Sequence, residues 1–328
     1  MRRREFILGV SGLVTWPVVA QAQQIGRVRR IGILMPFPRS DAEFQTRVQV
    51  FRQELVRLGW SEGSNVQFDE RWSTDNMDLV RADAATLLAL NPDVILTSSD
   101  RVIRIFTTLT SSVPIVVVLV LDPVASGAVE SLARPGGNVT GFSVVESSIL
   151  GKMLETLKQI VPSVSRVGMV HNPDNPVGAI FMRLFETSAM DLAIHPIDLP
   201  IHNLADVENA VASMAKQPNG GILFPPDATI FLHRAQILAL VARHRVPAIY
   251  SGAPYTAAGG LASYGPDTVA LFRQSAGYVD RILRGEKAAE LPFQQPTTYR
   301  FVLNLKTANA LGITVPASVL TRADEVIE

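Results

Sequence analysis

The 328-residue chain contains no cysteine. That removes a disulfide framework, a thiol nucleophile and any cysteine-ligated metal. It also removes the acylated cysteine that anchors a bacterial lipoprotein, so no lipid anchor is expected. An excess of one charge is missing too: 30 Lys and Arg balance 30 Asp and Glu. Neither nucleic acid nor an anionic membrane is then an expected partner. Long hydrophobic runs are scarce. The apolar stretch from Phe6 to Ala20 falls short of the roughly 20 residues a spanning helix needs, and Pro17 interrupts it. The run from Val113 to Leu121 is shorter still and contains Pro114. His171, His195, His202, His233 and His244 show neither HxxxH nor HExxH spacing, so no metal site is expected. No Gly-x-Ser-x-Gly elbow is present, and neither half opens on a Gly-x-Gly-x-x-Gly turn. Catalytic residues and a dinucleotide or other cofactor are therefore not expected.

What is present begins with an address. Arg2-Arg3-Arg4 is followed by the apolar stretch and then by Ala20-Gln21-Ala22, a small-x-small cleavage pattern. This is the layout of a secretory signal over residues 1–22, and Arg3-Arg4-Glu5-Phe6-Ile7 resembles a twin-arginine export signal. The remaining chain, with 27 basic and 29 acidic residues, is expected to be free in the periplasm. At 47% hydrophobic residues it can fill a core.

Past Arg27, short β-branched runs alternate with amphipathic stretches. Phe44, Val48, Phe51, Leu55 and Leu58 recur at helical spacing, and Gly59 ends that helix. Asp93–Thr97 and Ile115–Leu121 read as buried strands. Uninterrupted apolar strands between helices predict a parallel sheet covered on both faces. A second series follows, with strands at 166–170, 193–199, 221–224 and 246–250, and with 228–244 as one helix. The Pro135-Gly136-Gly137-Asn138 segment stands between the series as the first crossover. The fold class is thus α/β, two doubly wound Rossmann-like lobes joined by a multi-strand hinge. Lobe 1 is expected over 27–143 plus about 252–290, and lobe 2 over 144–251 plus about 291–328.

Four segments carry a resemblance. They are Phe51-Arg52-Gln53-Glu54-Leu55 with Leu58-Gly59-Trp60; Asp122-Pro123-Val124-Ala125-Ser126-Gly127; Pro135-Gly136-Gly137-Asn138-Val139-Thr140-Gly141; and Asn304-Leu305-Lys306-Thr307-Ala308 with Leu311-Gly312-Ile313. In this order they resemble the periplasmic substrate-binding proteins of ABC importers, in the branch that includes tryptophan- and tyrosine-binding proteins. The resemblance implies a type I periplasmic-binding fold with three crossovers, a small-molecule ligand in the cleft, and a membrane permease as partner. It implies a monomer and, as ligand, an amino acid or small carboxylate. A sensor serving a receptor kinase uses the same closure and stays open as an alternative; an exported hydrolase or lyase on this scaffold is the weaker one.

In open α/β sheets, ligands bind beyond the carboxyl ends of the strands, near helix N-termini. Ser98 and Ser99 follow the Asp93–Thr97 strand and can seat a carboxylate; helix capping is the competing role. Asp122 can accept an ammonium or serve as a turn carboxylate before Pro123. Asn172 can both donate and accept. Asp227 ends another strand, as an amine acceptor or a helix cap. Ser251 belongs to the cleft floor. Met35 and Phe37 follow the first strand and can pack on an apolar ligand body or within their own loop.

Overall fold

The computed structural model describes residues 27–328 apart from 75, 145–147, 174 and 176; the export signal read at 1–22 lies outside them. The first sheet holds β1 (Arg29–Met35), β2 (Val66–Trp72), β3 (Val94–Ser98), β4 (Ile115–Val120) and β5 (Val139–Ser143). All neighbours are parallel, in the order β2-β1-β3-β4-β5. Between the strands run α1 (Ala42–Arg57), α2 (Met77–Ala89) and α3 (Asp100–Leu109). Alternation along the strands divides the core. Ile31, Ile33 and Met35 face α1, whereas Leu34 and Ile95 face α2 and α3. Each such fully buried side chain contributes about 1.5–3 kcal/mol.

The second sheet draws on α4 (Ile149–Ile160), β6 (Arg166–His171), α5 (Gly178–Asp191), β7 (His195–Pro200), α6 (Leu204–Ala215) and β8 (Gly220–Phe224). Then come α7 (Ala228–Leu232), α8 (Arg234–His244), β9 (Ala248–Tyr250), α9 (Ala253–Ala257) and β10 (Ala262–Pro266). The chain returns to the first lobe for α10 (Thr268–Leu283). It ends in the second with β11 (Tyr299–Asn304), α11 (Leu305–Leu311), α12 (Ala317–Leu320) and β12 (Glu325–Ile327). The order is β12-β11-β10-β9-β8-β6-β7, and only β10 with β11 is antiparallel. Pro196 and Pro200 fit β7 because it is the edge strand.

Three expectations need correction. Pro135–Asn138 is not the crossover, because β5 follows it and pairs with β4 in the first sheet. Gly141 makes that pairing possible: a Cβ there would stand 1.9 Å from the Val117 carbonyl oxygen. Second, residues 252–290 do not all join the first lobe. Strand β10 is hydrogen-bonded between β9 and β11, while α10 packs Leu271, Phe272 and Val279 into the first core. Third, residues just past 290 stay with the first lobe. The Gln294 N–H donates to the Gly141 carbonyl, and the Gln294 carbonyl accepts from Ser143. Thr140 and Tyr278 add hydroxyl bonds to the Leu291 and Pro292 carbonyls, both 2.6 Å. The chain therefore passes between lobes three times, after Ser143, after Pro266 and after Gln294.

Candidate ligand-binding cleft

A cleft of about 640 Å3 lies between the lobes. Its first-lobe wall is built where β1, β3 and β4 end. Ser98 is the last residue of β3 and is wholly buried; its Oγ has no hydrogen-bond partner among the described residues. Ser99 precedes α3 with φ 74° and ψ 149° and makes no side-chain cap bond. A non-glycine residue held there costs of order 1–3 kcal/mol, the kind of strain that clusters at ligand sites. The capping role expected of these hydroxyls is thus not used. Asp100 instead ties the wall together: its Oδ2 accepts from the Leu121 N–H at 3.0 Å, and its Oδ1 has no partner among the described residues. Burial raises its pKa above the ordinary carboxylate value, and backbone hydrogen bonds only partly oppose that.

Aromatic side chains form the next part of this wall. Phe37 stacks on Phe44 with ring centroids 3.6 Å apart. Arg47, three residues further along α1, lies over the Phe44 ring at 4.5 Å. Phe231 of α7 meets this group from the second lobe, edge-on to Phe37 at 5.9 Å and to Phe44 at 5.7 Å. Beside it, Arg234 pairs with Asp41 across the cleft at 2.9 Å. Asp41 also caps α1 by accepting from Glu43 and Phe44 N–H groups. The lobes are therefore in contact along one side of the cleft.

The second-lobe wall carries Asn172, Asn175, Asp227, Thr229, Ser251 and Tyr255. Asp227 does two things. Its Oδ1 accepts from Thr229 and Ile230 N–H groups and caps α7, while its Oδ2 accepts from Asn175 at 3.2 Å. Ser251 is pressed against β10, where a Cβ on Gly265 would stand 1.9 Å from the Ser251 carbonyl oxygen. That close approach fixes the floor.

Of the expected contacts, Ser98, Ser99, Asn172, Asp227, Ser251 and Phe37 lie on the cleft wall. Two do not. Met35 is fully buried in the first core, on the same strand face as Ile31 and Ile33. Asp122 sits outside the cleft and accepts from Val124 and Ala125 N–H groups at 3.0 and 2.9 Å, a turn carboxylate. Sequence reasoning passed over Phe44, Arg47, Asp100, Phe231 and Tyr255. Arg47 carried a usable signal: a charge three residues after Phe44 and four before Phe51 falls on the helix's apolar stripe. Among the described residues, no group of three or more His, Asp or Glu side chains is placed to hold a metal ion.

Two lobes, three passages between them and a polar cleft at the strand ends define a solute-receptor architecture. Residues 37–327 match the model of the ABC transporter substrate binding protein family, and the chain belongs to that family. It is 24% identical over 264 residues to a tyrosine-binding protein of Clostridioides difficile strain R20291, covering 80% of this chain and 75% of that one. Among solved structures it resembles a conserved domain protein of Vibrio cholerae O1 biovar El Tor, with TM-score 0.84, 27% identity, and coverage of 92% of this chain and 100% of that one. It also resembles an ABC domain of Streptococcus pneumonia in complex with L-Trp, with TM-score 0.84, 24% identity, and 91% and 99% coverage.

Proposed function

We propose that this protein captures an amino acid in its interlobe cleft and presents the closed form to the membrane permease of an ABC importer. The observation that supports it best is the opposition of two polar walls. On one side, the Ser98 hydroxyl lacks a partner and Ser99 is held in a strained conformation beside it. On the other, the Asp227 carboxylate is fixed by Asn175 and by the first turn of α7. A zwitterion fits between them, its carboxylate toward Ser98 and Ser99 and its ammonium toward Asp227, with Asn172 and Ser251 as further contacts. Phe37 and its aromatic neighbours take the side chain. The tyrosine and L-Trp named for two relatives agree with that wall.

The ligand supplies the differential affinity that shifts open toward closed. Micromolar binding, about −8 kcal/mol, exceeds the few kcal/mol that separate two hinge states. The protein acts as an exported monomer in the periplasm, after cleavage of residues 1–22, on the strength of the Arg-rich start and the Ala20-Gln21-Ala22 site. Among the described residues no helix is long and apolar enough to cross a membrane.

A thermal-shift panel of the purified protein against the common L-amino acids and aromatic acids tests this. An amino acid is expected to raise Tm by mass action. Ser98→Ala with Ser99→Ala is expected to abolish that rise without lowering the ligand-free Tm, since neither hydroxyl caps α3 and Ser98 Oγ has no partner among the described residues. A panel without any hit overturns the proposal. Loss of amino-acid uptake in a deletion strain checks the link to a permease.

A further inference from the structure

Arg47 is a buried cation on the cleft wall that the contacts named so far leave unused. It is 3% exposed and lines the cavity. Its Nε has no hydrogen-bond partner among the described residues. The Glu43 carboxylate, one turn earlier on α1 and also on the cleft wall, forms a loose ion pair with its guanidinium at 4.0 Å, beyond hydrogen-bond reach. Burial lowers the Arg47 pKa to about 10, with Glu43 and Asp41 pulling the other way, so the side chain is charged at neutral pH. What holds it is aromatic: the Phe44 face at 4.5 Å and the Phe231 ring at 5.3 Å. Those contacts use the flat face of the guanidinium and leave its N–H edge unspent. A buried cation without hydrogen bonds is destabilising unless something completes it.

We infer that Arg47 is a specificity-determining ligand contact, reserved for a planar oxyanion of the bound solute, a carboxylate before any other. The fork of a guanidinium matches a carboxylate in a way that a sugar hydroxyl, a nucleoside or an amine does not. A neutral or cationic solute in this cleft leaves the buried Arg47 charge with only its loose Glu43 pair and no hydrogen bond, and is rejected on that account. The inference rests on the amino-acid reading and adds to its carboxylate seat: Arg47, which lines the same cleft, shares the ligand carboxylate with Ser98 and Ser99. It also gives Phe231 a purpose. By closing onto Arg47 from the second lobe, the ring removes water from the charge and strengthens its pairing with a ligand.

The test is a panel and a cycle. The wild-type protein is screened by thermal shift against the common L-amino acids, phenylacetate and 4-hydroxybenzoate, alongside glucose, ribose, adenosine, tyramine and tryptamine. All hits are expected to carry a carboxylate. For the strongest acid hit, calorimetry compares the acid with its primary amide on the wild type, Arg47→Met and Arg47→Lys. The wild type is expected to prefer the acid by about 100-fold. Arg47→Met is expected to reduce that preference at least tenfold, and Arg47→Lys to keep part of it. Hits confined to uncharged solutes or amines overturn the amino-acid reading together with the assignment of Arg47, whereas acid hits with an acid-to-amide ratio near one overturn the assignment of Arg47 alone. So does an Arg47→Met protein with wild-type circular dichroism that keeps the full preference. If Arg47→Met does not fold, Arg47→Lys and the wild-type acid-to-amide ratio decide: unchanged discrimination in Arg47→Lys together with a ratio near one overturns the inference. No hit in the whole panel counts against solute binding itself.

Discussion

The two walls of the cleft are both polar, but only one of them is finished. Among the described cleft-lining residues, the buried polar atoms without partners are Arg47 Nε, Ser98 Oγ and Asp100 Oδ1, and all three belong to the first lobe. On the second-lobe wall, Asp227 is occupied by Asn175, Thr229 and Ile230 before any ligand arrives. Buried polar atoms cost about 1–3 kcal/mol each when unpaired. The first wall therefore carries a standing penalty that a ligand relieves, whereas the second offers an oriented carboxylate at little cost.

The largest effect expected from that contrast is at Asp227. Because one carboxylate both caps α7 and faces the cleft, Asp227→Ala should move two readouts together. Ligand affinity should fall about 10- to 100-fold, as for a lost charged hydrogen bond. The ligand-free protein should lose about 1 kcal/mol, as for a lost cap. Asp227→Asn separates the two, since asparagine caps as well as aspartate: affinity falls and ligand-free stability stays. The Ser98 and Ser99 pair should lower affinity without lowering ligand-free stability, because Ser98 Oγ is unpaired before any ligand arrives. If Asp227→Ala changed stability without affinity, the second wall would be scaffolding and the contrast would collapse.

Asp100 offers a test of the unfinished wall that needs no ligand. Its folded pKa is raised above the ordinary 3.8, chiefly by burial. A raised carboxylate pKa means the folded state binds the proton more tightly than the unfolded chain. Its burial penalty is therefore full only above the folded pKa, and is relieved as pH falls through that pKa toward the unfolded one. Asp100→Asn keeps an acceptor for the Leu121 N–H and removes the charge. The variant should be the more stable protein above the folded pKa of Asp100, and its lead should shrink on acidification toward the unfolded pKa. A lead that does not change with pH would mean that Asp100 is satisfied by something other than a proton. The exposed pairs Glu54–Arg57 and Arg281–Glu286 have lowered carboxylate pKa values and push the opposite way, so only the difference between variant and wild type is informative.

These walls were unequally visible in the amino-acid order. Strand ends announce themselves because an apolar run stops, so Ser98, Asn172, Asp227 and Ser251 could be placed near the cleft by the parallel-sheet rule. The aromatic half could not. Phe44 reads as one more member of a helical stripe, and its meeting with Phe37 and Phe231 depends on how two lobes close. Phe231 was hidden further by a helix read as continuous over 228–244, which divides at His233 into α7 and α8. Met35 was a parity error: as the third odd residue after Ile31 and Ile33 it faces the core, and only Phe37 lies beyond the strand and reaches the cleft. Strand β5 escaped notice because Val139-Thr140-Gly141-Phe142-Ser143 includes a glycine whose use, close approach to Val117, is a tertiary fact.

The smallest effect is expected at Asp122, and it is the control that gives the others meaning. Asp122 and Asp100 sit on neighbouring stretches of chain, and both are carboxylates near a strand end. One turns away and spends its oxygen on Val124 and Ala125; the other is buried in the wall. Asp122→Ala should therefore leave ligand affinity unchanged. Its stability cost should also be small. The lost turn bonds are worth about 0.5–2 kcal/mol in the manner of a cap. Against that, removing the Asp122 charge relieves repulsion on Asp100, and the Leu121 N–H still donates to the Asp100 carboxylate. Calorimetric affinity and ligand-free Tm, measured beside Asp227→Ala, make the comparison direct. A tenfold loss of affinity in Asp122→Ala would mean that the ligand reaches past Leu121, and that the boundary drawn here between cleft and turn is in the wrong place.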